Sequence, residues 1–110
     1  MTYQEELIFG LVRWLIKGTK YLEKYDEAND LIDDDLTFDA LSYVILMVND
    51  ITKRILNEPE ILEKYSMAEF EEISKIKDAV FVGDGVDFET MFEEVKDNFP
   101  IYISQLVANK

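Results

Sequence analysis

Histidine and cysteine are both missing from these 110 residues. Without cysteine there are no disulfides and no thiolate metal sites. Without histidine the chain lacks the commonest general base, the commonest metal ligand and the neutral-pH proton switch. Any chemistry would have to come from Asp, Glu, Lys, Tyr or a bound metal. Glycine and proline together fill only six positions, too few for a loop-rich or collagen-like chain. Long apolar runs are also missing. The longest, Leu7 to Ile16, is too short to span a bilayer. It follows Glu5 and Glu6 rather than a basic segment, unlike a signal peptide. The expectation is a cytoplasmic protein with no membrane contact.

What is present is apolar and acidic. Apolar residues make up 48% and charged residues 32%, with a net charge of −13. The length suits one domain, taken here as a single helical domain over residues 1–110. So negative a chain repels phosphate, which argues against a general affinity for nucleic acid. The charge is unevenly spread. Residues 26–39, "DEANDLIDDDLTFD", hold seven acids and no base. Arg13, Lys17, Lys20 and Lys24 fall within a twelve-residue stretch that has one acid. Their steps of four, three and four place them on one helix face. Such a stripe is either solvated and balanced by acids on a neighbouring helix, or a docking surface for an acidic partner or a nucleotide.

Helical periodicity runs through the whole chain. Thr2-Tyr3-Gln4-Glu5 has the form of a capping box and opens a helix expected from about Tyr3 to Tyr25. The acidic run 26–35 reads as a loop. Thr37 is expected to cap a second helix with Leu41, Val44, Val48, Ile51 and Ile55 inward. Pro59 suits the first position of a short helix through Lys64. Ser66-Met67-Ala68-Glu69 reads as a second capping box, for a helix carrying Phe70, Ile73, Ile76 and Val80. Gly83 and Gly85 break that helix. Asp87 caps the next, and Pro100 marks a kink or restart. No segment alternates as a strand does. The fold class is all-α, a four- to five-helix up-and-down bundle.

Metal sites built from carboxylates have only faint echoes here. Glu93-Glu94-x-x-Asp97 and Glu69-x-Glu71-Glu72 resemble the acidic patterns of helical nucleotide pyrophosphatases. Their acids fall largely opposite the apolar stripe and are expected to face water. Asp33-Asp34-Asp35 lacks the glycine and the glutamate of an EF-hand loop. "VGDG" lacks the Lys-Ser/Thr of a phosphate loop. No metal and no cofactor is implied.

The stretch "KIKDAVFVGDGVDFETMF", residues 75–92, carries the clearest likeness. Lys77-Asp78 is followed after three residues by Val82-Gly83-Asp84, then by Val86-Asp87 and a helix ending Phe99-Pro100. This resembles the small HEPN-domain proteins, especially those paired with minimal nucleotidyltransferases in toxin–antitoxin systems. Their pattern runs Arg-Asn, three residues, His-Gly-Tyr, then Val-Asp and a helix ending near Leu-Pro. One residue is deleted here before Val86. The likeness extends loosely over residues 5–110. "LVRWLIKGTKYLEKY" is similar to the family's first helix, and "LTFDALSYVILMVNDITKRI", with Asp39-Ala40 and Asn49-Asp50, to its second.

The resemblance implies an HEPN-like bundle that is a homodimer, its helices pairing around residues 75–90. It implies a partner of the nucleotidyltransferase or toxin kind. In the family the Arg and His cleave RNA, and the tyrosine accepts AMP. Lys77 keeps a positive charge, but Val82 cannot move a proton, and Asp78 adds a negative charge beside the phosphate. Asp84 replaces the tyrosine. The implied protein is therefore a non-catalytic HEPN-like binder with a degenerate site at Lys77, Asp78, Val82, Gly83 and Asp84. An RNase working without histidine would need Lys77 and a metal. Arg13, Lys17, Lys20, Lys24 and Lys75 are the candidate binding residues. The alternative is an acidic interaction protein unrelated to that family: an antitoxin, immunity protein or nucleic-acid mimic that uses the run 26–39.

Overall fold

The computed structural model describes residues 1–108, so residues 109 and 110 of the expected domain lie outside the description. The chain folds as α1 (Tyr3–Tyr21), α2 (Asn29–Ile32), α3 (Asp35–Ile55), α4 (Pro59–Lys64), α5 (Phe70–Ile73) and α6 (Ile76–Val80). A two-stranded hairpin follows, β1 (Phe81–Val82) against β2 (Gly85–Val86). The last helical run is α7 (Phe88–Glu93), a π turn (Glu94–Asn98) and α8 (Phe99–Ala108). The protein is mostly helical, and among the described residues no helix is long and apolar enough to cross a membrane.

Helix α1 begins as expected. The Thr2 hydroxyl accepts from the Glu5 amide at 3.1 Å, and the Thr2 amide donates to the Glu5 carboxylate at 3.2 Å. Leu7, Ile8, Leu11, Leu15 and Gly18 line its buried face. Against it lie α3 and α8. Gly10 faces Ile51, Trp14 meets the Tyr43 ring edge-on, and Gly18 faces Val44, so α1 and α3 run antiparallel. Gly18 also lies under Phe99, the first residue of α8. Phe99, Leu11, Leu15 and Leu41 are wholly removed from water. Each such side chain contributes roughly 1.5–3 kcal/mol by leaving it.

The structure shifts several expected boundaries. Helix α1 ends at Tyr21 rather than Tyr25, so Lys24 sits in the following turn and the stripe of four bases becomes three on a helix and one beyond it. The chain leaving α1 is held by Lys96, whose ammonium donates to the carbonyls of Leu22 at 2.9 Å and Tyr25 at 2.7 Å. The acidic run is not all loop: Leu31 is fully buried and anchors the single turn α2. The cap of α3 is Asp34, not Thr37. Its carboxylate accepts from the Thr37 amide at 3.0 Å, and from the Thr37 and Tyr25 hydroxyls. These bonds, with Tyr25 the largest contributor, hold the Asp34 carboxyl down at about 2.

The helix expected after Ser66 is replaced by two short turns. Ser66 makes no cap; α5 starts at Phe70, and the Glu69 amide donates to the Gln105 side chain of α8 at 3.1 Å. A partner from across the molecule has taken the place of the local one. Between α5 and α6 the Ser74 hydroxyl donates to the Glu71 carbonyl at 2.6 Å, the local competition that interrupts helices at serine.

Near Pro100 the helix widens instead of breaking. Proline has no amide hydrogen, and its ring crowds the carbonyl four residues back. The preceding residues take the π form, in which the Phe99 amide reaches the Glu94 carbonyl.

Two glycines on α1 give opposite expectations. A Cβ on Gly18 would lie 2.8 Å from the Phe99 ring, whereas on Gly10 it would meet Ile51 at 3.5 Å, an ordinary contact. Gly10→Ala is expected to raise stability by up to about 1 kcal/mol through helix propensity. Gly18→Ala is expected to lower it by about 1–2 kcal/mol, because overpacking exceeds that gain. Urea unfolding of the two variants measures both; a stabilised Gly18→Ala would contradict the close approach.

Candidate functional site

Residues 75–87 form one compact local unit. Helix α6 buries Ile76 and Val80 and turns Lys77, Asp78 and Ala79 toward its outer side. Lys75 stands at the N-cap with no capping bond and pairs with Glu72 at 3.6 Å, both exposed. Phe81 pairs with Val86 and Val82 with Gly85. The connecting turn is Gly83-Asp84, with Gly83 at φ +60°. That is where a type II′ hairpin turn calls for glycine. The Asp87 amide closes the unit on the Val80 carbonyl at 2.8 Å. Its carboxylate caps α7 by accepting from the Thr90 amide at 3.0 Å, which lowers its pKa.

The side chains expected to mark a site therefore lie close in sequence, on a short helix and a tight hairpin. Lys77 is half-buried, whereas Asp78, Val82 and Asp84 are exposed, Val82 at 60%. The sequence signal, two glycines around an aspartate, located the turn. It did not show the strand pairing, since two residues per strand are too few to alternate visibly. Lys77 offers a cation and Asp78 and Asp84 offer anions; Val82 offers only hydrocarbon.

The other basic residues belong to a different part of the molecule. Helix α1 packs on α3, α8 and the π turn, while α6 packs on α3 and α7. Among the described residues the ion pairs are Arg54–Asp50 and Lys75–Glu72, so no base of the stripe is in an ion pair. Its cations rest on rings instead. Arg13 lies 5.8 Å from the centre of the Phe9 ring, and Lys17 lies 4.6 Å from that of Trp14. Lys24 is 5.3 Å from Tyr25. Lys20 is exposed.

Two features lie outside the sequence reading. A cavity of about 450 Å³ opens between the start of α1, the end of α4 and the end of α8. Ile8, Phe9, Val12, Tyr65 and Leu106 wall it, and Glu5 and Lys64 also line it. The second is Glu94. Rather than facing water, it is half-buried at the start of the π turn, and one carboxylate oxygen is buried with no hydrogen-bond partner. Burial raises its pKa, and Glu72 and Glu93 raise it further. Beside it, burial and the carboxylates of Glu94, Glu69 and Glu72 push the Tyr102 hydroxyl up to about 12. Among the described residues no group of three Asp or Glu is arranged to hold a metal ion.

No protein-family model matches this chain, and neither a curated protein nor a solved structure matches it.

The hairpin and the inward glutamate are each open to measurement. A Cβ on Gly83 would touch nothing within 4 Å, so Gly83→Ala isolates the backbone cost of the left-handed turn. Its expected loss is about 1 kcal/mol in urea unfolding, with a smaller effect for Gly85→Ala. For Glu94 the folded pKa lies above the unfolded one. Its ionisation penalty is absent below the unfolded pKa and fully present above the folded one. Glu94→Gln is thus expected to melt higher than the parent at neutral pH and to lose that advantage below a pH of about 4. An equal or lower melting temperature at neutral pH would refute it.

Proposed function

We propose that this chain is a non-catalytic HEPN-like helical protein, acting by binding a protein partner of the nucleotidyltransferase or toxin–antitoxin kind. The observation that carries the reading is the unit at 77–84. It occupies the stretch at which the resembled family cleaves RNA, and at the position of that family's histidine it holds the exposed hydrocarbon of Val82. Asp84 stands where the AMP-accepting tyrosine would be, and carboxylate cannot serve as that hydroxyl. Lys77 and Asp84 remain as a cation and an anion on one accessible hairpin-and-helix edge, suited to contact with a protein surface.

A second reading, the acidic interaction protein, is favoured by one feature of the run 26–39. Asp26, Glu27, Asp30, Asp33, Asp35 and Asp39 are all exposed, and none is in an ion pair among the described residues. Asp34 is committed to structure as the cap of α3, and Asp30 accepts from the Asp26 and Glu27 amides at 3.3 Å. The long-range attraction of such a run for a basic surface weakens as salt is added.

Paired charge reversals separate the two readings. The tagged protein is used to capture partners from its native cells at low salt, alongside Lys77→Glu/Asp84→Lys and Asp33→Lys/Asp35→Lys. The expected result is stoichiometric recovery of a nucleotidyltransferase or toxin that the first variant loses and the second retains. Loss confined to the second variant would replace the proposal with the acidic reading. Cleavage of RNA by the purified protein with added divalent metal, abolished in Lys77→Ala, would overturn the non-catalytic part.

A further inference from the structure

Two uncovered ridges on the longest helices are complementary in charge. On α1, Phe9, Arg13, Ile16 and Lys20 follow at steps of four, three and four, and all are exposed, Phe9 at 53% and Ile16 at 36%. On α3, Leu36, Asp39, Tyr43 and Leu46 follow at steps of three, four and three. They too are exposed, Leu36 at 84%, Tyr43 at 56% and Leu46 at 45%. Alternating steps of three and four are those by which one helix lays a seam along another. The α1 ridge interleaves apolar groups with bases, and the α3 ridge interleaves them with an acid. Among the described residues neither Arg13, Lys20 nor Asp39 is in an ion pair.

We propose that the α1 ridge of one copy docks on the α3 ridge of a second copy, and reciprocally, in a two-fold symmetric dimer. Charge complementarity selects a second copy as the occupant. Both halves of the pair are carried by one chain on adjacent antiparallel helices. A two-fold axis brings α1 over α3 and α3 over α1, so both contacts form at once. The lengths agree as well. At the helical rise, the α1 ridge spans about 16 Å and the α3 ridge about 15 Å. Two chains of net charge −13 repel in most approaches. The α1 ridge is a local exception, carrying two bases and no acid among its four residues. Apolar groups supply the attraction at the centre of the contact and the charges fix its register. This surface is separate from the hairpin at 81–86, and the dimer does not depend on the HEPN-like reading.

Charge exchange tests it. Arg13→Glu/Lys20→Glu reverses one ridge, and Asp39→Lys reverses the other. By sedimentation at high micromolar concentration the parent is expected to be a dimer. Each variant alone is expected to associate at least about ten-fold more weakly, because both of its contacts then join like charges. An equimolar mixture of the two is expected to recover the dimer, since both contacts again join opposite charges. The substituted positions are exposed, and circular dichroism checks that helicity is retained. Leu36→Gln adds no charge and provides a second probe, with the same weakening expected. A parent that stays monomeric, a dimer that survives both reversals and Leu36→Gln, or a mixture that fails to associate would each overturn the proposal.

Discussion

Among the glycines Gly18 is the one with no room for a Cβ, because the Phe99 ring and Val44 press on it, and the rest of the arrangement is set around that turn. Helix α1 has α3 on one side and α8 on the other, and at Gly18 both press on the same turn, Val44 from α3 and Phe99 from α8. Any side chain there would push one neighbour away. With that turn bare, the three helices close on Leu11, Leu15, Leu41 and Phe99 and exclude water completely. Interiors are packed like crystals, so a fixed contact of this kind propagates outward. Phe99 under Gly18 sets where α8 begins, Lys96 is thereby brought to the carbonyls of Leu22 and Tyr25, and the chain leaving α1 is held where Asp34 can start α3.

Charge follows from the same economy of space. The interior is filled by apolar side chains, with Thr52 the buried polar exception among the described residues, so nearly all the ionised groups are left on the surface. Among the described residues they form two ion pairs, not a salt-bridge lattice. Arg13 and Lys17 of α1 lie near aromatic rings, and no acid of 26–39 is in an ion pair among the described residues. Exposed ion pairs contribute little to stability, and the fold does without most of them. What remains is a surface with separated signs, which is of more use in choosing a partner than in holding the chain together. Glu94 is the reverse case: burial raises its pKa, the Asn98 side chain opposes that by a hydrogen bond, and Glu72 and Glu93 raise it further.

Local signals in the sequence translated directly into structure. Thr2 with Glu5, Pro59 at the start of α4 and Asp87 before α7 each act within four residues of themselves, and each does what its position implies. The 3.6-residue spacing of Leu7, Leu11, Leu15 and of Leu41, Val44, Val48 likewise reports the buried faces. Readings failed where the deciding group comes from far along the chain. Ser66 is displaced as a cap by Gln105, and Tyr25 is drawn out of α1 by Asp34, Thr37 and Lys96. Glu94 reads as a water-facing residue, yet it follows buried Met91 by three positions and sits half-buried at the edge of that face. At 75–87 the sequence carried the turn and the following cap. The split between α5 and α6 was hidden, because Ser74 is compatible with either outcome until its hydroxyl finds the Glu71 carbonyl.

The π turn before Pro100 has a meaning beyond accommodating a proline. A helix advances about 100° per residue, so one surplus residue inside a turn changes the angular setting of everything after it. Met91, Val95, Phe99, Tyr102 and Leu106 follow at steps of four, four, three and four and are all buried, so a single apolar face runs through the segment. Removing a single residue from it would turn Phe99, Tyr102 and Leu106 together by about 100° relative to Met91. The number of residues between Met91 and Phe99 is thus constrained more tightly than their identity.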